Sequence, residues 1–304
     1  MPNNRVFYAS QGVSITPEGG SATTVQGAQS VGVTTSFNLE QAFQLGQLAL
    51  YDNIVADPEV TVSISKALDG ESLIWQLATG GGSLVANAND QADIIIAVGD
   101  DTAETLTNTV GVQCTGMYIS SLTYTFPVDG PFTEEIDFVG NSKSLAGTVS
   151  APATSGNIML RRQHFLEGSS TLPAEVDGKN LSNVTISADL GRESMYKLGS
   201  FAPFHRFVNF PLEVTTTFEV IAQTIDGVSA DAESVSCTGG SLPSEQPIVI
   251  ALCDGGQTTA SYTFDLGTKN VLQSVEYSGG DTSGGNVTIT YTYSTYNELS
   301  ITSP

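Results

Sequence analysis

The sequence predicts a mainly β protein built as two tandem domains, residues 1–152 and 153–304, and three observations carry that expectation. Runs such as Val60-Thr61-Val62-Ser63-Ile64 and Val287-Thr288-Ile289-Thr290-Tyr291-Thr292-Tyr293 stand in a chain rich in Gly, Ser and Thr and poor in charge. Those residues suit a pleated, half-buried surface. A set of short motifs recurs in the same order in the two halves. Between the halves lies a stretch of small residues with one proline, Thr148 to Gly156, where the second copy begins.

The recurrence runs as follows. Arg5-Val6-Phe7-Tyr8 leads to Val33-Thr34-Thr35-Ser36, and Ile158-Met159-Leu160-Arg161 leads to Val184-Thr185-Ile186-Ser187. Leu45-Gly46 and Pro58 answer to Leu198-Gly199 and Pro211, with equal Gly-to-Pro spacing. Asp69-Gly70 answers to Asp226-Gly227, and Ile94-Ile95-Ile96-Ala97-Val98 with Asp100 to Ile248-Val249-Ile250-Ala251-Leu252 with Asp254. Tyr124-Thr125-Phe126 and Ile136 to Gly140 pair with Tyr262-Thr263-Phe264 and Val275 to Gly279. This order predicts an internal duplication whose period is far longer than a solenoid repeat, so each copy is expected to be a domain with its own core. Tandem copies suit a chain that fills two equivalent positions in a symmetric assembly.

Each domain is expected to carry one short flanking helix. In the first, Asn38 is the N-cap with Gln41 three residues on, and Leu39, Ala42, Phe43 and Gly46 share a face. The second has Leu190 to Leu198, weakened by Gly191. Glycines 80–82, 239–240, 255–256 and 279–280 read as turns. The longer interval from Ile96 to Tyr124 than from Ile250 to Tyr262 predicts an extra segment around Thr105 to Ser120 in the first copy. Long strands rich in Thr and Tyr, such as 287–293, recruit further strands when they lie at a sheet edge, and in an assembling subunit that edge becomes the interface.

Charge narrows the function. With 32 acidic and 10 basic residues the net charge is −22, which disfavours a protein that grips nucleic-acid phosphates. It does not disfavour a conduit through which nucleic acid passes without sticking. Residues 1–142 hold only Arg5 and Lys66 as basic groups; Lys143, Arg161, Arg162, Lys179, Arg192, Lys197 and Arg206 gather early in the second half. Such a cluster is ordinary solvated surface or a basic patch that meets an acidic copy, and Arg161, Arg162, Arg192, Lys197 and Arg206 are the candidate inter-domain or inter-subunit contacts. Cys114, Cys237 and Cys253 form no metal spacing and no even disulfide framework, which fits a reducing cytoplasm. The N-terminus lacks a signal-peptide core, no apolar stretch reaches bilayer length, and the sequons at Asn180, Asn183 and Asn286 are then chance.

Catalytic and cofactor signatures are not found, and no enzyme, metal or cofactor is expected. His164 follows Arg161-Arg162-Gln163 and His205 lies in Phe204-His205-Arg206-Phe207, neither with metal spacing. Gly80-Gly81-Gly82-Ser83 lacks the lysine of a phosphate loop. Asp100-Asp101 and Glu134-Glu135-Ile136-Asp137 offer oxygen ligands, but strand alternation puts Glu135 and Asp137 on one face and Glu134 on the other. Trp75, within Leu73-Ile74-Trp75-Gln76-Leu77, reads as core.

The segment from Ser36-Phe37-Asn38-Leu39 through Leu48-Ala49-Leu50-Tyr51-Asp52-Asn53, continued by Pro58, Val60, Val62 and Ala67-Leu68-Asp69-Gly70, resembles the tail tube proteins of tailed bacteriophages. Tyr124 to Gly130 and Phe138-Val139-Gly140 extend the resemblance, which covers roughly residues 5–145; the duplication carries it into the second half. The resemblance implies β-sandwich or β-barrel domains whose strands combine around a ring to line a channel. Rings stack into the tube through which the genome leaves the virion. Tube domains usually act six to a ring, so the duplicated version implies three chains with pseudo-sixfold symmetry. The implied partners are further copies and other tail proteins: a sheath if the tail contracts, an initiator and a terminator. DNA passes through the lumen unbound, no membrane is involved, and assembly takes place in the host cytoplasm. The competing readings are a capsid decoration protein or adhesin, and an enzyme with paired carboxylates; no carboxylate pair stands out for the last.

Overall fold

The structure, a computed structural model, describes residues 11–99, 110–152, 158–222, 244–253, 260–279 and 286–304. Arg5 to Tyr8, Asp100-Asp101, Asp226-Gly227, Cys237, Asp254 and the glycine pairs 239–240 and 255–256 lie outside these residues. The first half forms β1 (Gln11–Pro17), β2 (Thr23–Thr24), β3 (Ala28–Ser36), β4 (Leu39–Phe43), β5 (Leu50–Val55) and β6 (Glu59–Ala67). It continues with helices α1 (Ile74–Thr79) and α2 (Leu84–Asn87), then β7 (Ala92–Val98), β8 (Val110–Pro127), β9 (Thr133–Gly140) and β10 (Ser142–Leu145). The second half forms β11 (Leu181–Asp189), β12 (Arg192–Met195), β13 (His205–Val208), β14 (Glu213–Ile221) and β15 (Val249–Leu252). Its last strands are β16 (Tyr262–Asp265), β17 (Val271–Ser278), β18 (Thr288–Tyr296) and β19 (Ser300–Thr302). The fold is mainly β, as expected.

The main sheet is antiparallel and runs β3-β6-β9-β8-β11-β14-β18-β17. Smaller sheets, β2-β1-β7-β8-β10 and β15-β16-β19, cover its inner face. The strand β8, 18 residues long, belongs to two sheets. It crosses between them at Gly116, whose φ of 63° falls in the left-handed region that a side chain disfavours. Alternation sets the core: Val60, Val62, Ile64, Leu122, Tyr124, Phe126, Ile136, Phe138, Val184, Ile186, Val214 and Phe218 point inward and are buried. Buried side chains of both halves join in one large cluster, beside a small one of Ala97 and Val149. Phe264 of β16 packs its ring against Tyr124 and Phe126 of β8, with centroids 4.8 and 5.3 Å apart.

The halves order their main-sheet strands alike, β3-β6-β9-β8 and β11-β14-β18-β17, and β7-β8-β10 likewise parallels β15-β16-β19. Register irregularities recur as well. The β3·β6 ladder slips between Ala28 and Ser30 and the β11·β14 ladder between Leu181 and Asn183. The β8·β9 ladder slips between Ile119 and Ser121 and the β17·β18 ladder between Leu272 and Ser274. Both pairs stand at one chain offset, 181 − 28 = 153 and 272 − 119 = 153.

That offset corrects several sequence expectations. Val31, not Val33, stands at the place of Val184. Tyr262–Asp265 forms β16, which holds the place of the first part of β8, while Val271–Ser278 corresponds to its last part. The residues 110–120 expected as an insertion are therefore regular strand: the second half breaks in two what the first half runs through as one. The expected helix after Asn38 is instead the hairpin β4·β5, and Leu190 to Leu198 forms part of the hairpin β12·β13. Leu39, Ala42 and Phe43 have the spacing of a helix face, but among the described residues no apolar surface receives them; Leu39 and Phe43 are exposed. The α-helices lie at 74–79 and 84–87, joined through the glycines read as a turn, with Trp75 fully buried.

Candidate assembly surface

The outward face of the main sheet is made of hydroxyls and carboxylates. It carries Thr34 and Ser36 on β3, Thr61, Ser63 and Ser65 on β6, Ser121, Thr123 and Thr125 on β8, Thr185 and Ser187 on β11. Thr215 and Thr217 on β14 and Thr290 and Thr292 on β18 continue it. The acidic groups among them are Glu59, Glu135, Asp137, Asp189, Glu213, Glu219 and Glu276, and no Lys or Arg of these strands faces the same way among the described residues. As strand alternation predicts, Glu135 and Asp137 are exposed here while Glu134 is buried. The Asp137 carboxylate is held by Ser63 Oγ at 2.6 Å and Ser121 Oγ at 2.8 Å, one from each flanking strand. Thr is a strand former that stays polar, so the face is both well paired and hydrophilic.

Two edges flank this face. Among the described residues the ladder along β3 goes only to β6, and along β17 only to β18. Neither strand contains Lys, Arg or Pro, the residues that usually blunt an edge. Inside the chain, the strand at the place of β17 (β8) does pair with the strand at the place of β3 (β11), from Ser121↔Asp189 to Pro127↔Asn183.

The hairpins are the third feature. Leu45 and Leu198 sit at their tips, both fully exposed, beside Gly46 and Gly199, whose φ values are 89° and 85°. Around them Phe37, Phe43, Leu48 and Tyr51 on one arm and Tyr196, Phe201 and Phe204 on the other are exposed. Exposed apolar side chains of this kind, gathered on both hairpins, make the two arms the candidate contact surface.

Among the candidate contact residues, the structure brings Arg192 and Arg206 together and leaves Arg161, Arg162 and Lys197 exposed and apart. Arg192 reaches from the base of β12 into the first half, donating through Nε to Ile119 O and through Nη2 to Ala88 O, both at 2.6 Å, with its guanidinium over the Tyr118 ring. Burial lowers its pKa to about 10, with Tyr118 opposing and Arg206 adding to the shift. The guanidinium of Arg206, nearly buried, meets Glu59 at 3.3 Å and Asn141 Oδ1 at 3.2 Å. Both arginines thus span residues before and after position 152. Replacing Arg192 by Ala is expected to lower stability by roughly 3 kcal/mol, since two buried carbonyls lose a charged donor. Urea midpoints measure it, and a change under about 1 kcal/mol would return Arg192 to incidental packing. His164 is buried and its Nδ1 accepts from Arg161 N within a short 3-10 turn, while His205 hydrogen-bonds Tyr118.

No protein-family model matches the chain, and no curated protein matches it. Among the described residues no helix is long and apolar enough to cross a membrane.

Proposed function

We propose that the chain is a duplicated, ring-forming structural subunit of a phage tail tube, in which the acidic hydroxyl face lines the channel for DNA. The observation that carries this reading is the head-to-tail junction β8·β11: one half's last main-sheet strand already pairs with the next half's first, and among the described residues the equivalent strands β17 and β3 stand at the outer edges. A heterologous contact of that kind closes into a ring when its rotation permits. A sheet continued in this way presents the same face throughout. Among the described residues the strands of this face turn seven carboxylates and no cation outward, and Arg206 of β13 is paired with Glu59, as a conduit needs if phosphates are to slide without contacts that must be broken again. The apolar hairpins supply surface for stacking rings and for other tail proteins. Two halves per chain and six tube domains per ring give three chains, in a virion tail assembled in the host cytoplasm.

Negative-stain images of the purified protein test the reading. Rings or stacked tubes are expected, with three chains and six similar lobes on averaging. Six chains per ring would refute the equivalence of the halves, and a monomer at all concentrations would refute ring formation.

A further inference from the structure

We infer that neighbouring chains join by β17 pairing antiparallel with β3 of the next chain in one defined register, Ser274↔Ser36, Val275↔Thr35, Glu276↔Thr34 and Tyr277↔Val33. The inference rests on the ring-forming reading and fixes the residues that carry it. The register is the internal one carried across by the offset between the halves: Ser121↔Asp189, Leu122↔Ala188, Thr123↔Ser187 and Tyr124↔Ile186 within the chain become these four pairs between chains. Face by face the pairs agree. Tyr277, Val275 and Val33 pack against the core side, while Glu276, Ser274, Thr34 and Ser36 lie on the hydroxyl side. A slip by one residue would set Tyr277, on the core side, opposite Thr34, on the hydroxyl side, so the pattern tolerates shifts of two but not of one.

An independent observation places the same neighbour. The two hairpins correspond residue for residue through their ladders, Leu39↔Val55 matching Arg192↔Val208 and Glu40↔Ile54 matching Glu193↔Phe207. At the base of β12·β13, Val208 is 7% exposed, because the first half of its own chain covers it. At the base of β4·β5, the matching Val55 is 56% exposed and Leu39 59%. What covers the second hairpin lies beside β8, across the β8·β11 junction. The matching cover for the first hairpin is therefore the second half of whichever chain presents β17 to β3. One contact thus closes both the open edge and the bare hairpin base.

Cysteine cross-linking tests the register. In a Cys237→Ser background, Glu276→Cys with Thr34→Cys, and separately Val275→Cys with Thr35→Cys, place one thiol pair at each of the two alternating ladder positions, of which the narrower suits a disulfide. Under oxidation at least one double variant is expected to give covalent dimers and closed trimers on a non-reducing gel. Glu276→Cys with Ser36→Cys, the slip of two, is expected to give several-fold less. Rings that cross-link better in the slipped pair, or at neither predicted pair, overturn the register while leaving ring formation standing. Absence of any assembly overturns both. As a second readout, Val55→Asp is expected to leave the monomer's circular dichroism unchanged and abolish rings; rings formed as readily as by the parent would remove the hairpin base from the contact.

Discussion

Replacing Glu134 by Ala is expected to destabilise the protein by about 3–5 kcal/mol, the cost of removing one member of a buried charged network. Glu134 is fully buried, and its carboxylate accepts from the backbone N–H groups of Ile74 at 2.7 Å and Trp75 at 3.1 Å and from the Tyr124 hydroxyl at 3.0 Å. Lys66, equally buried, contributes a positive charge nearby and pairs with Asp69 at 3.2 Å. The helix α1 has no side-chain cap of its own, so Glu134 supplies one from another strand. Without it two helix N–H groups and a tyrosine hydroxyl are left unpaired under the sheet. Burial raises the Glu134 pKa, against the hydrogen bonds and the Lys66 charge, which lower it. A folded pKa above the unfolded one means the native state keeps its proton longer. The resulting stability is present below the ordinary carboxylate range and fades as pH rises through the folded pKa. Glu134→Gln should flatten that part of the pH profile while costing less than Ala. Urea titrations between about pH 4 and 7 measure both effects. An alanine variant within about 1 kcal/mol of the parent would show that α1 needs no such cap.

The same network shows where sequence reasoning stops. Leu73 to Thr79 reads as an apolar patch too short to display a helical period, and its cap lies some sixty residues away. No local rule connects Glu134 with Ile74. The alternation of Glu134, Glu135 and Asp137 was legible because it depends only on the period of a strand. The recurrence of Leu-Gly was legible too, since a tip glycine with positive φ leaves a mark in the sequence at Gly46 and Gly199. The secondary structure leading to those tips was not. Leu39, Ala42 and Phe43 fit a helical stripe, but a helix that short needs a surface to bury it, and the hairpin finds its bonds in Leu50–Val55 instead. The correspondence of β16 and β17 with a single β8 was hidden because Tyr-Thr-Phe recurs by composition at Tyr124 and Tyr262 on strands that occupy different places. Arg192 and Arg206 could be singled out by charge alone, but their burial at the boundary between the halves follows from tertiary packing.

The largest effect is expected on DNA binding. The parent protein, at net charge −22, should retain no duplex DNA in a gel shift even at about 50 mM salt. Changing Glu135, Asp137, Glu219 and Glu276 to Lys replaces four repelling groups with four cations on one polar face, each exposed or half-exposed. If these cations reach four phosphates, affinity should fall by about a hundredfold between about 50 and 200 mM salt, since each contact releases a counterion. Place matters as much as charge. If the proposed face lines the channel, the four lysines of assembled tubes lie inside it, and DNA trapped during assembly should survive nuclease. Lysines substituted instead at Glu40, Asp52, Glu193 and Glu167, outside the main sheet, should leave tube-bound DNA open to digestion. Equal nuclease sensitivity of the two sets would mean that the hydroxyl and carboxylate face does not line the channel, even where rings form.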